Sequence, residues 1–407
     1  MTVKRTSSDR LRRQLVKNLR AKGVISSDAV DAAFLAVPRE WFIPEAAAER
    51  GLDAVYRDEA IVTKRDARGM PLSSSSQPAL MARMLELLAP GPGDRVLEIG
   101  TGTGYNAALL AHMVGSRGRV TSIDIDPTLA GTARRALRNA GYRVDIKVGD
   151  GRQGHASGAP YDRIIVTACA DDIANAWLEQ LADGGRLELP LRLDPDGAAI
   201  QVIPVFERQG DRLESTALTW GGFMPLHSGD GGWRALPATL AANRSVKGRH
   251  TSFVSLSGAG LDRLPTRAAR ELLADMLTNQ SPPRRQGLTD MSSAKLPLLL
   301  IYLLLSIPAA RRVSITEPGR GGVGLVDRQS RSLAVISLRS PWTSDVDNPN
   351  GRARWRLDAY GGNIAADQLD QLVSQWQQLR REHRTRLQLF AWSDQGVLRL
   401  RFAWTTG

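Results

Sequence analysis

The stretch Arg95-Val-Leu-Glu-Ile-Gly-Thr-Gly-Thr-Gly-Tyr105 decides the fold. Val96, Leu97 and Ile99 are apolar and β-favouring and read as a buried strand. Gly100, Gly102 and Gly104 follow as a turn, and Ala107, Ala108, Leu109, Leu110 and Ala111 continue as a helix pattern. Strand, glycine turn and helix form the opening unit of a nucleotide-binding α/β sheet. The spacing is Gly-x-Gly-x-Gly, which differs from the Gly-x-Gly-x-x-Gly of dinucleotide binders. Glu98 sits where the chain leaves the strand, a place from which an acid can hold a cationic ligand. The combination favours S-adenosyl-L-methionine (SAM), which carries an amino group and a sulfonium but no phosphate. The alternative is a strand-helix turn without a ligand.

Working outward, Arg119-Val-Thr-Ser-Ile-Asp124 reads as a second strand ending in an acid, about 20 residues past the turn, where such folds hold ribose hydroxyls. Asp126 is the competing carboxylate. Asp150-Gly151 follows a third apolar run, Val144 to Val148, and Asp162 to Thr167 is a fourth strand. Pro78 to Leu88 has a helical apolar pattern. Before it, Val37 to Pro44 reads as extended, Tyr56 to Lys64 as a short strand or arm, and the polar segment Asp66 to Ser76 as a loop. Strands near Ile200 to Phe206 and Ser215 to Leu226 flank a hairpin signal at Gln209-Gly-Asp211. Alternating strands and helices predict a mostly parallel sheet covered on both faces, with an antiparallel edge.

With 407 residues the chain is too long for one ordinary domain. His227 to Gly232 reads as a linker. Beyond it, helices over Thr266 to Leu277 and Ala365 to His383 mix with strands near 324–326, 333–338, 387–392 and 397–403. The expected division is 1–80, a helical segment and closing loop; 81–226, the SAM-binding core; and 233–407, a C-terminal α+β domain. The net charge of +12 is unevenly placed. Residues 1–230 hold 29 basic and 29 acidic side chains, and residues 231–407 hold 25 and 13. That surplus suggests an acidic partner, peptide or nucleic acid, with a solvated arginine-rich surface as the plain alternative. The lone cysteine, Cys169, excludes an internal disulfide framework and fits a reducing, cytoplasmic setting. The longest apolar run, Leu296 to Ala310, is interrupted by two prolines and is too short to span a bilayer, so no membrane role is expected. No metal-ligand spacing occurs.

Several segments then fall in the order found in protein-L-isoaspartate O-methyltransferases. They are Val37-Pro-Arg-x-x-Phe-Ile-Pro-Glu45, Tyr56-x-Asp58, Ser76-Gln77-Pro78, the glycine turn, Gly149-Asp-Gly151, Ala159 to Ala168 and Gly184 to Leu187. The chain resembles that family over roughly residues 10–226. The resemblance implies a Rossmann-like SAM-dependent methyltransferase fold, with SAM as cofactor. It implies Ser76 as the active-site serine beside the methyl donor and the substrate carboxylate, with Ser75 and Gln77 helping to close over SAM. Glu98, Gly100, Thr101 and Gly102 would cradle the methionine end and Asp124 the ribose. Asp150 and Gly151 would meet the adenine, and Thr167 would line the methyl-transfer side. Ser76 as a mere cap of the following helix, and Asp150 as a mere turn residue, are the alternatives.

Two departures shape the expected substrate. The segment Gly69-Met-Pro-Leu-Ser-Ser-Ser-Ser-Gln-Pro78 replaces the family's Gly-x-Gly-Gln-Thr-Ile-Ser-Gln-Pro and is preceded by an insert. The basic extension after Leu226 is expected to be absent from repair enzymes. Both look like the members that modify ribosomally made peptides, of FxLD-system, lanthipeptide, graspetide and lasso-peptide type. These esterify an aspartate of an acidic, constrained precursor peptide, and the ester closes to an aspartimide that may hydrolyse to isoaspartate. The alternative is repair of L-isoaspartyl residues in damaged proteins. The intact glycine turn and Asp150-Gly151 speak against a nucleic-acid binder with a vestigial fold.

Overall fold

The computed structural model describes residues 2–67, 69, 71–192, 201–226, 240–244, 252–257, 267, 296–308, 311–317, 320–327, 329–330, 332–339, 355–360, 362–382, 385–394 and 397–406. The chain forms two compact units. The first begins with α1 (Thr2–Ala21), α2 (Asp28–Ala36), a single 3-10 turn at Arg39–Trp41 and α3 (Pro44–Val55). A hairpin of β1 (Ile61–Arg65) and β2 (Pro71–Ser75) leads to α4 (Pro78–Leu88). Alternating elements follow: β3 (Arg95–Ile99), α5 (Tyr105–Val114), β4 (Arg119–Asp124), α6 (Pro127–Asn139), β5 (Asp145–Val148), β6 (Tyr161–Val166), α7 (Asn175–Gln180) and β7 (Leu181–Glu188). The two-residue β8 (Leu191–Arg192) and the antiparallel pair β9 (Gln201–Gln209) and β10 (Arg212–Trp220) complete this region.

β5, β4, β3, β6 and β7 lie side by side and parallel, and β9 and β10 extend the sheet antiparallel, as the α/β pattern predicts. The near-continuous apolar runs of β3 and β6 fit a sheet covered on both faces. Val96, Ile165, Ile146 and Ile203 on one face join Leu85, Leu88, Leu109, Leu110 and Phe34 in a single core.

Two local expectations are corrected. Val37 to Pro44 is not extended throughout. Only Val37 and Pro38, at the near end, have extended backbone, and a 3-10 turn lies between them and Pro44. Asp66 to Ser76 is not all loop, because Pro71–Ser75 pairs with β1. Its serines hid the strand: polarity suggested solvent, whereas Ser73 and Ser75 are buried.

The second unit is built on a six-stranded antiparallel sheet in chain order. Its strands are β11 (Leu240–Arg244), β12 (Ser252–Ser257), β13 (Arg312–Glu317), β14 (Arg320–Asp327), β15 (Ser332–Arg339) and β16 (Trp355–Tyr360). The apolar α8 (Leu296–Ser306) and the amphipathic α9 (Ile364–Glu382) supply Leu299, Leu303, Leu369, Val373 and Trp376 to a core with Val323, Ala334, Ile336 and Leu357. Among the described residues no helix is long and apolar enough to cross a membrane. The expected linker at 227–232 and most of the expected helix at 266–277 lie outside the described residues. The boundary at the C-terminal end differs from a simple two-part chain. β17 (Thr385–Asp394) pairs with β10 through Arg212↔Trp392, Leu213↔Ala391 and Glu214↔Phe390. β18 (Val397–Thr406) flanks it, so residues 388–403 belong to the first unit.

One row of paired residues crosses the first sheet through Ser122, Glu98, Ile165, Glu188 and Val205. Glu188 is fully buried, and among the described residues neither of its oxygens has a hydrogen-bond partner. Burial holds its carboxyl well above the ordinary value of 4.5. The folded chain therefore keeps a proton that the unfolded chain releases, and stability falls as pH rises between the two pKa values. The slope is about 1.4 kcal/mol per pH unit. Glu188→Leu should therefore stabilise the protein more at pH 8 than at pH 5, read by chemical denaturation at both. A wild type more stable than the variant at pH 8 would contradict this account.

Candidate functional site

β3 delivers the glycine turn to the C-terminal edge of the parallel strands, where open α/β sheets bind ligands. Gly100 has φ +97°, and a Cβ there would lie 2.5 Å from Thr167 Oγ1. Thr167 Oγ1 donates to the carbonyls of Gly100 (2.7 Å) and Ile99 (3.0 Å), so it ties the end of β6 to the turn.

Glu98 is placed beneath the turn and is fully buried. Its carboxylate accepts from Asn106 Nδ2 at 2.8 Å and from Ser122 Oγ at 2.5 Å. Ser122 Oγ lies 2.6 Å from Thr101 Oγ1. Burial pushes the carboxyl up to about 7, while the hydrogen bonds from Ser122 and Asn106 pull it back. Both oxygens serve the turn's foundation.

Asp124 closes β4. Oδ2 accepts from Gly102 N–H at 2.8 Å and Oδ1 from Asp126 N–H at 2.9 Å. Burial raises its pKa. Asp126, the competing acid, caps α6 by accepting from Thr128 N–H (2.9 Å) and Leu129 N–H (3.2 Å), and it pairs with Lys64 of β1. Its commitments leave Asp124 as the carboxylate at the turn. The Lys64 pair and the approach of Ser73 Oγ to Gly102 bring the β1–β2 hairpin beside the turn.

Asp150 Oδ1 accepts from Arg152 N–H at 2.9 Å, the turn-residue geometry. A Cβ on Gly151 would lie 2.3 Å from Ile99 Cγ2, and the Gly151 carbonyl accepts from Trp177 Nε1 at 2.8 Å. Gly151 is thus required for packing against β3.

The segment Ser75-Ser76-Gln77 is fixed from behind. Arg39, fully buried, donates from Nε to Ser75 Oγ (3.2 Å) and from Nη2 to the carbonyls of Ser75 (3.2 Å), Ser76 (3.0 Å) and Glu59 (3.1 Å). Its Nη1 reaches the carbonyls of Val55 (2.9 Å) and Arg57 (3.3 Å). Gln77 Nε2 donates to the Asp58 carbonyl at 3.1 Å, and Asp58 Oδ1 accepts from Ala79 N–H at 2.8 Å. Asp58 therefore caps α4, and Ser76 does not. The side chains of Ser75 and Gln77 are turned to Arg39 and the Asp58 arm. The half-buried Ser76 hydroxyl has no hydrogen-bond partner among the described residues. Arg39, Asp58, Asn106, Ser122 and Lys64 were not singled out from the sequence. The one available signal was the Arg39 and Asp58 positions within the matched segments.

This geometry fits SAM. Asp124 retains acceptor capacity on each oxygen beyond its one backbone donor. The Ser76 hydroxyl is uncommitted among the described residues.

Residues 10–231 match the family model for protein-L-isoaspartate(D-aspartate) O-methyltransferase (PCMT). A protein-L-isoaspartate O-methyltransferase of Methanopyrus kandleri is 42% identical over 184 residues, which are 45% of this chain and 77% of the relative. One from Hyperthermus butylicus is 38% identical over 241 residues, 56% of this chain and 94% of the relative. A solved protein-L-isoaspartate O-methyltransferase shares the fold with a TM-score of 0.52 and 24% identity, over 96% of this chain and 99% of its own. On the sequence match, the chain belongs to the protein-L-isoaspartate O-methyltransferase family and is a SAM-dependent enzyme.

Proposed function

We propose that this enzyme esterifies the free carboxylate of L-isoaspartyl residues in damaged proteins. The observation that carries this reading is the match of residues 10–231 to the family model, in a chain whose Ser76 hydroxyl has no hydrogen-bond partner among the described residues. SAM supplies an electrophilic methyl group when bound. A carboxylate is already ionised near neutral pH, so the chain needs no general base. Ser76 donates to the substrate carboxylate and orients it, and Asp124 accepts from the ribose hydroxyls. Asp150 and Gly151 would meet the adenine, Thr167 would line the methyl-transfer side, and Gly100, Thr101 and Gly102 would hold the methionine end. Ser75, Gln77 and Glu98 act as supports of these contacts. Rate enhancement then comes mainly from orientation and exclusion of water. The resulting ester is open to attack by the following backbone nitrogen, with loss of methanol and closure to an aspartimide. The proposed setting is the cytoplasm.

The expected peptide-modifying role drew on the hairpin insert and the basic extension. The relatives' names favour repair instead. The basic surplus of residues 231–407 still supports acidic polypeptides as preferred substrates. Arg352 and Arg354, which contribute to that surplus, lie outside the described residues.

Three outcomes are expected. Asp124→Ala should weaken SAM binding about tenfold or more in calorimetry, since hydrogen bonds to a charged acceptor are the strong ones. Ser76→Ala should lower peptide turnover about tenfold or more while SAM affinity stays within about twofold, as for one lost bond to a charged group. A matched peptide pair, isoaspartyl and aspartyl, incubated with SAM should gain a methyl group only on the isoaspartyl member, read by mass spectrometry. Preference for the aspartyl member would replace repair with peptide modification.

A further inference from the structure

Arg39 forms no ion pair among the described residues. All its donors go to carbonyls and one hydroxyl, and two of those carbonyls are Ser75 and Ser76. In a trans peptide unit the C=O and N–H point in opposite directions. Among the described residues the only cis peptide is Ala159-Pro160, so both of these units are trans. The carbonyl of Ser75 shares a plane with the N–H of Ser76, and the carbonyl of Ser76 with the N–H of Gln77. Drawing both carbonyls onto the guanidinium therefore turns both N–H groups away from it. Neither N–H has a hydrogen-bond partner among the described residues. The Ser76 hydroxyl, between them in the chain, is likewise uncommitted.

We propose that Arg39 is a positioning residue for carboxylate recognition. It sets the Ser75–Gln77 backbone so that the N–H groups of Ser76 and Gln77 join the Ser76 hydroxyl as donors to the substrate carboxylate. Its charge adds to the effect. A guanidinium stays protonated in proteins and polarises the two peptide units so that their N–H ends are the positive ends. A carboxylate gains from this arrangement and a carboxamide gains little. The inference rests on the reading of Ser76 as the substrate contact.

The test is carboxylate preference. Isoaspartyl peptide is compared with the same peptide bearing a carboxamide in place of the reactive carboxylate, the latter as an inhibitor. In Arg39→Lys the charge remains but the planar fork is lost. The peptide KM should rise about tenfold, and the preference for carboxylate over carboxamide should fall by a similar factor. SAM affinity should stay within about twofold. Guanidinium added to Arg39→Ala should restore part of the preference. An unchanged preference in a folded Arg39 variant overturns the proposal. Equal losses in SAM and peptide binding also overturn it, because they mark a structural role only.

A second measurement needs no variant. In the wild-type enzyme with S-adenosylhomocysteine, the amide protons of Ser76 and Gln77 should move downfield on adding the carboxylate peptide and not the carboxamide. Amides that do not respond overturn the assignment. If the wild type esterifies aspartyl instead of isoaspartyl peptides, the repair reading fails. The same comparisons on the aspartyl peptide then judge Arg39 separately.

Discussion

A guanidinium carries five N–H donors and no acceptor, so a chain that buries one must bring oxygen atoms to it. Around Arg39 the oxygens come from three places: the end of α3, the arm through Arg57 and Glu59, and the Ser75–Ser76 segment. These segments are between 16 and 37 residues away in sequence from Arg39. Leaving a buried charge unsatisfied costs several kcal/mol, so the requirement acts as a constraint on where each segment can lie. The helical layer of residues 1–60 is thus more than a lid of apolar packing. It carries the cation that fixes the backbone entering α4.

A second buried polar group does the same for the cofactor turn. Glu98 would be a burden inside the sheet without Ser122 and Asn106, which come from the neighbouring strand and the following helix. Through Ser122 the network reaches Thr101, so the turn is held from below by hydrogen bonds and from the side by Thr167. Glu188 shows the contrast. It lies in the same row of the sheet, two strands from Glu98, with no such partners among the described residues.

Much of this was legible in the sequence because it rests on local patterns. The apolar runs of β3, β4 and β6 and the positive-φ glycines of the turn are local signals. So is the amphipathic spacing of α9, and each fixed an element without reference to distant residues. What stayed hidden depends on pairing. Arginine is usually a surface residue, so nothing in the Val-Pro-Arg segment announces a buried cation. The partners of Glu98 were not legible because Ser122, 24 residues away, becomes its neighbour only once β3 and β4 register. The serines of β2 read as loop because its partner strand, not its composition, makes it a strand.

The return of the chain to its first sheet bears on the order of synthesis. β10 meets its outer neighbour only when β17 exists, and the Ser215–Leu389 contact joins residues 174 positions apart. During translation the edge of β10 therefore leaves the ribosome with its outward N–H and C=O groups unpaired, a template for mispairing. The intervening unit must be made, and its ends brought together, before that edge is covered. Contacts of such long range form late and slowly. Closure of this edge is thereby timed by the synthesis of β17, so a nascent or interrupted chain carries the whole glycine turn and an open sheet at once.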